Sequence, residues 1–150
     1  MIVTTPVLNG GLSPPDDLYI KKIMSEKMLI QEDYLDDNWK MVVCCILLNQ
    51  TTNQQVRKVL NPLFELMPTP ESCILLDPSK IASIIKPTGF YNIKSDRIKK
   101  MSQKWLDGFS HPSELPGVGK YAMESWDIFV NKKTDFTPSD KKLKMYLDSL

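Results

Sequence analysis

One carboxylate, Asp140, follows a glycine-rich turn at a distance along the chain that allows the two to form one site. The turn is the PGVG segment at residues 116–119, and two glycines around one apolar residue let a backbone bend sharply and approach another surface closely. Ser139 is predicted to cap the last helix and Asp140 to lie in its first turn, where the helix dipole favours an ionised carboxylate. Asp140 is therefore the first candidate for acid–base or electrostatic chemistry.

The turn precedes a helical pattern that runs from Lys120 to about Val130. The unpaired N–H groups and the positive dipole end of such a helix point back at the turn, which suits an anion such as a phosphate. Gly117, Gly119 and Lys120 therefore form a candidate phosphate-binding turn. As an alternative, the turn can simply join two helices and Asp140 can be an ordinary cap. The spacing between the two motifs favours the functional interpretation.

Helical patterns account for most of the chain around these motifs. Apolar residues recur at helical intervals over residues 16–32, 56–67, 77–85, 92–106, 120–130 and 140–150. The apolar run at 38–48, which Asn38 can cap, also allows a buried strand, but no alternating partner strand appears. Polar segments at 49–52 and 86–89 interrupt the helical patterns. We therefore predict an all-α fold.

Composition and charge favour one globular domain that contacts a polyanion. The chain has 150 residues, of which 42% are hydrophobic and 25% charged, and we divide it into an N-terminal arm over residues 1–17 and a domain over 18–150. Residues 1–85 carry seven Lys and Arg against ten Asp and Glu, whereas residues 86–150 carry twelve against eight. A basic second half around a phosphate-like turn favours a nucleic acid, although an ordinary solvated surface is the alternative.

The cysteines exclude several other classes of protein. Cys44, Cys45 and Cys73 form neither a metal-binding pattern nor an even set of disulfides, which favours a reducing compartment inside the cell. His111 is the only histidine, so a histidine metal cluster is excluded. The first residues lack a signal-peptide pattern and no run approaches a membrane span.

Three motifs in order resemble the helix-hairpin-helix DNA glycosylase superfamily. They are LNQTT at residues 48–52, PTGFYNIK at 87–94, and LPGVG at 115–119 with Ala122 and Asp140. The match covers roughly residues 38–147 and is closest to the cluster-free thymine glycosylase domain of methyl-CpG-binding mismatch repair proteins. Two further segments also resemble that subgroup, LSPP at residues 12–15 and PSDKKLK at 138–144.

The resemblance implies a two-lobed helical fold with a DNA-binding cleft between the lobes. It further implies a nuclear, monomeric base-excision repair enzyme that flips thymine or uracil opposite guanine out of double-stranded DNA. By the same resemblance, Asp140 stabilises the oxocarbenium-like state and activates water, and Tyr121 contacts the flipped pyrimidine. Tyr121 as a packed aromatic is the alternative. No iron–sulfur cluster is expected, because no cysteine follows Cys73. The resemblance allows a monovalent cation at the hairpin, which is the PGVG turn at residues 116–119.

The resemblance also assigns roles in holding DNA. It places Gln50 in the gap that the flipped base leaves in the DNA base stack. It places Phe90 as a wedge beside the unpaired partner base, although Phe90 can equally be a core aromatic. Lys94 is expected, like Lys120, to hold phosphates. Enzymes of the superfamily that also cut the strand carry a lysine where this chain has Tyr121, so a monofunctional enzyme is expected. A helix-hairpin-helix module that binds DNA without chemistry, or a helical interaction domain, is the alternative.

Overall fold

A computed structural model describes residues 29–150, and these residues form helices joined by turns, with no strand among them. The α-helices are α1 (Asn38–Leu47), α2 (Asn53–Leu66), α3 (Pro70–Ile74), α4 (Pro78–Ile85), α5 (Tyr91–Asp107), α6 (Lys120–Phe129) and α7 (Lys141–Asp148). Short 3-10 helices cover Ile30–Tyr34, Lys86–Thr88 and Pro112–Glu114. The all-α prediction is confirmed. The predicted N-terminal arm and most of the predicted helix at 16–32 lie outside the described residues.

Helix α1 lies at the centre of the core and packs against α2, α5 and α6. Every residue from Met41 to Leu47 is buried, which is the pattern expected of a helix surrounded by others. The helix begins one residue earlier than the sequence suggests, because the Asp37 carboxylate accepts the Lys40 N–H at 3.0 Å and takes the capping role predicted for Asn38. Helix α1 therefore presents its C-terminal end, and the turn after it, at a fixed place on the surface.

Helices α3 and α4 both pack against α5, which in turn packs against α1. Helix α4 begins where the sequence predicts, because Asp77 accepts the Ser79 N–H at 2.9 Å and Pro78 occupies the first helical position. Helix α3 has five residues, too few for a periodic signal, and was not predicted. The 3-10 helix at Lys86–Thr88 then turns the chain into α5. This arrangement brings the turn before α5 close to the end of α1.

Helices α6 and α7 complete the described part of the chain. The 3-10 helix at Pro112–Glu114 leads into the PGVG turn, and α6 then packs against α1. Helix α7 is anchored by Leu143, which is fully buried in the core. Within residues 29–150 no helix is long and apolar enough to cross a membrane.

Candidate active site

A cavity of about 610 Å³ lies where the end of α1, the turn after it, α5, the PGVG turn and the start of α7 meet. Its size is that of a pocket for a small organic ligand. Asp140 is the one carboxylate among the residues that line it, whereas four lining residues are cationic: Arg97, Lys120, Lys141 and Lys142. A cavity with a single acid inside a basic surround suits an anionic ligand that carries a reacting centre.

Asp140 caps α7 rather than lying inside it. Its Oδ2 accepts the Leu143 N–H at 3.0 Å, so the capping role predicted for Ser139 belongs to Asp140 itself. One carboxylate oxygen is thereby fixed by the helix, and the residue lines the cavity. A carboxylate held by its backbone partner costs little to keep in place during a reaction.

The PGVG turn combines a packed glycine with an open one. Gly117 has a φ of +82°, and a Cβ at this position would lie 3.2 Å from the Arg97 Cβ and 3.3 Å from the Ile46 Cδ1. The turn is therefore held close against α1 and α5, where a larger residue would be strained by the positive φ and would have to displace its neighbours. At Gly119 a Cβ would meet no atom within 4 Å, so this end of the turn faces open space.

The backbone N–H groups that follow Gly117 and Gly119 in the candidate phosphate-binding turn differ in whether they are free to bind a phosphate. The N–H of Val118, which follows Gly117, donates to the Leu115 carbonyl at 3.2 Å and closes the turn. The N–H of Lys120, which follows Gly119, is in the first turn of α6, and Gly119 has no side chain to cap that helix. Within this turn, the N–H of Lys120 at the start of α6 is therefore the one that we still expect to bind a phosphate.

Tyr121 joins the cavity to a buried polar cluster behind it. Its hydroxyl accepts a hydrogen bond from the Gln31 amide Nε2 at 2.6 Å, and the same Nε2 contacts Ser125 Oγ at 3.0 Å. The Gln31 side chain is fully buried, and its Oε1 has no hydrogen-bond partner among the described residues. Because Gln31 donates to it, the Tyr121 hydroxyl keeps its own proton for another acceptor.

Burial keeps the acidic protons of this cluster in place. Burial raises the pKa of Tyr121 well above its ordinary value, and nearby Cys45 and Asp140 raise it further, while the bond from Gln31 lowers it. Burial also raises the pKa of the Cys45 thiol to about 12, although hydrogen bonds to Ser125 and Gln31 lower it. Tyr121 is therefore a hydrogen-bond donor at neutral pH, and Cys45, which lines the cavity, is not a thiolate nucleophile.

The family model for HhH-GPD superfamily base excision DNA repair proteins matches residues 43–148. The chain belongs to the HhH-GPD superfamily. The matched region contains the cavity and both motifs that carry the predicted chemistry, Asp140 and the hairpin at residues 116–119. The predicted membership of the helix-hairpin-helix DNA glycosylase superfamily is thereby confirmed.

Two curated relatives and one solved structure are similar to this HhH-GPD chain. The "Methyl-CpG-binding domain protein 4-like protein" of Arabidopsis thaliana is 33% identical over 97% of this chain and 36% of its own length. The "Thymine/uracil-DNA glycosylase" of Pyrobaculum aerophilum is 29% identical over 57% of this chain and 41% of its own length. The structure of a thermostable thymine-DNA glycosylase superposes with a TM-score of 0.60 at 25% identity, over 65% of this chain and 49% of that one. The chain thus spans less than half the length of both curated relatives.

Gln50 and Phe90 both stand at exposed turns of this HhH-GPD domain. Gln50 lines the cavity and has a φ of 56°, and Phe90 has a φ of 46°. Residues other than glycine rarely adopt this left-handed backbone conformation, which is enriched at functional sites. Phe90 is 55% exposed, so the alternative of a core aromatic is wrong. Their roles in DNA binding stay predictions.

Lys94 does not lie where the sequence predicts. Its side chain is 1% exposed, and its ammonium donates to the Leu47 carbonyl at 2.8 Å and to the Thr88 carbonyl at 2.7 Å. No local pattern shows this contact, because the Leu47 carbonyl at the end of α1 lies 47 positions away along the chain. Lys94 is therefore unavailable to a phosphate, and the structure corrects that prediction: the residue ties the turn before Gln50 to the turn before Phe90.

Two residues near the site, Gln31 and Glu124, were not predicted from the sequence. Gln31 is 90 positions before its partner Tyr121, and it falls in a segment predicted only as an amphipathic helix. Glu124 lies three positions after Tyr121 on α6 and binds Ser139, directly before Asp140. For Glu124, the i, i+3 spacing from Tyr121 was the one available hint, because residues so spaced share a helix face.

Among residues 29–150 no group of three or more His, Cys, Asp or Glu is placed to hold a metal ion. The expected lack of an iron–sulfur cluster stays a prediction.

Proposed function

We propose that this chain is a monofunctional DNA glycosylase, acting as a monomer on nuclear double-stranded DNA, that removes thymine or uracil opposite guanine. The observation that carries the proposal is the meeting of Asp140 and the Tyr121–Gln31 pair at one cavity with a cationic surround. The family match and the two glycosylases among the similar proteins support the same reaction.

The cavity suits a nucleotide that has left the duplex. A glycosidic bond is hidden inside stacked DNA, so an enzyme that cleaves it must first rotate the nucleotide out. The volume of about 610 Å³ is sufficient for a base and its sugar. Lys120, Lys141, Lys142 and Arg97 lie around this space and would bind the phosphates on either side of the flipped nucleotide.

Asp140 would act on the sugar. Cleavage of the bond between base and sugar builds positive charge on the sugar ring, and a nearby carboxylate stabilises that charge. The same carboxylate can orient or deprotonate the attacking water. The Leu143 N–H holds Oδ2, which leaves Oδ1 as the oxygen for this work.

Tyr121 would read the base. Its hydroxyl accepts from Gln31 and can donate its own proton to a ring carbonyl. Thymine and uracil each carry two ring carbonyls that can accept this hydrogen bond. Cys45 is what argues against adenine, because superfamily members that remove adenine place a glutamate at its position.

Tyr121 also supports cleavage of the glycosidic bond alone. Members that cut the strand use a lysine amine at this position to form a Schiff base. A tyrosine hydroxyl with a raised pKa offers no amine and little phenolate. Lys120, one position earlier, is exposed and begins α6, where a phosphate contact is the expected role.

Single-turnover cleavage of labelled duplexes with one G·T or G·U pair tests the proposal. The native chain should give strand breaks that require alkali, and Asp140→Asn should lower the rate by roughly 10³-fold or more if the carboxylate carries the chemistry. Asp77→Asn is the matched control, because Asp77 also caps a helix but does not line the cavity. Breaks without alkali would refute the monofunctional assignment. Salt-sensitive binding without any product would indicate a DNA-binding module.

A further inference from the structure

The carboxylate of Glu124 holds both polar groups of Ser139. Its Oε2 accepts the Ser139 backbone N–H at 2.9 Å, and its Oε1 accepts the Ser139 hydroxyl at 3.1 Å. Two bonds from one rigid carboxylate to one residue fix orientation as well as distance. They join α6 to the segment before α7, across 15 positions of the chain.

This contact lies one peptide unit from Asp140. Pro138 is buried and has a fixed φ, Ser139 is held by Glu124, and Asp140 is bonded to Leu143. Three successive residues are thus restrained: Pro138 by its burial and fixed φ, Ser139 by α6 and Asp140 by α7. Without the Glu124 contact, the middle restraint would be lost and the approach to Asp140 would be set by the two ends alone.

Helix α6 carries Glu124 on the face that also carries Tyr121. The two residues are three positions apart, so their side chains leave the helix in similar directions. Tyr121 lines the cavity, and Glu124 binds the chain one turn further on. A single helix face therefore carries the Tyr121 hydroxyl and also binds the residue directly before Asp140.

We propose that Glu124 is a positioning residue that sets Asp140 relative to Tyr121 through its two bonds to Ser139. This inference rests on the proposed glycosylase function. Glu124 is not among the residues that line the cavity, so it contributes no chemistry of its own. Its effect belongs to the cleavage step, because the distance between acid and sugar matters there and the phosphate contacts that hold the duplex do not involve it.

The test compares Glu124→Ala, Glu124→Gln and a matched control, Asp127→Ala. Asp127 lies on the same helix, and its carboxylate accepts the Asn131 side chain instead of contacting Ser139. Both alanine variants remove one negative charge from α6. Glutamine at position 124 can keep both hydrogen bonds to Ser139, since its amide can accept the Ser139 N–H and donate to the Ser139 hydroxyl.

We expect Glu124→Ala to lower the saturated single-turnover rate roughly tenfold or more, because a displacement of about 1 Å in a reacting group can cost about a hundredfold. The dissociation constant for the G·U duplex should stay within roughly threefold of the native value, since the phosphate contacts remain. Glu124→Gln should recover most of the rate, and Asp127→Ala should leave it unchanged. Melting curves would show that each variant is folded at the assay temperature.

Ser139→Ala provides a second, independent measurement. It removes one of the two bonds and should give a smaller loss than Glu124→Ala, and in the Glu124→Ala background it should cause no further loss. Additive losses, or a Glu124→Ala rate equal to the native rate, would overturn the positioning role while leaving the proposed function standing. A native chain without excision on any mismatch would overturn the proposed function, and the positioning role with it.

Discussion

The buried ammonium of Lys94 predicts a change of stability with pH that Lys94→Met should remove. The side chain is 1% exposed and binds the carbonyls of Leu47 and Thr88. Burial lowers the pKa of Lys94 from 10.5 to about 8, because the charged form loses its hydration. Methionine has a similar length and cannot titrate, so this substitution isolates the effect of the proton.

The direction follows from the proton balance between the folded and unfolded states. The unfolded chain keeps the Lys94 proton up to about pH 10.5, whereas the folded chain releases it near pH 8. Between these values the unfolded state binds more protons, so the free energy of unfolding rises with pH. With these two pKa values, the gain between pH 7 and pH 9.5 is about 2 kcal/mol. The carbonyl bonds favour the ammonium and make this an upper value. The neutral amine still has two N–H groups, so both bonds can persist.

The assay is urea unfolding followed by circular dichroism at pH 7 and pH 9.5, in the presence of a thiol reductant. The quantity of interest is the unfolding free energy of the native chain minus that of Lys94→Met, because other titrating groups cancel in the difference. We expect this difference to rise by about 1–2 kcal/mol with pH. Lys100→Met is the control, since Lys100 is on the same helix but exposed, in a surface pair with Asp96. A difference that stays constant or falls would refute the argument.

Three further substitutions test the parts of the site separately. Gln31→Leu removes the bond to the Tyr121 hydroxyl and should slow excision of thymine and uracil roughly tenfold or more; an unchanged rate would show that Gln31 does not act through Tyr121. Phe90→Ala removes an exposed ring, so stability should change by less than about 0.5 kcal/mol, while preference for a G·T over a G·C duplex should fall roughly tenfold or more. Lys120→Ala should weaken binding to all duplexes alike and reduce the slope of log K against log salt by about 1; an unchanged slope would remove Lys120 from the interface.

Local features of the sequence predicted most helices. Asp77-Pro78 starts α4 as expected, and the polar segment at 49–52 separates α1 from α2. Helix α1 follows from its unbroken apolar run because a helix buried on all sides needs no polar face. The errors in helix capping are also local in origin. Asp37 and Asp140 took capping roles predicted for their neighbours, because several adjacent polar residues can each cap a helix and sequence cannot rank them.

The sequence alone determined the family motifs, the all-α class and the place of Asp140 after the hairpin, since glycine conformations, helix caps and apolar periodicity act between residues close together in the chain. Tertiary structure alone decided which polar side chains meet. Lys94 is buried rather than on the surface, and its ammonium binds the carbonyl of Leu47, 47 positions away. Gln31 reached Tyr121 across 90 positions, and Glu124 reached Ser139 across 15. Such contacts depend on how whole helices pack, and no local pattern of residue types specifies that packing.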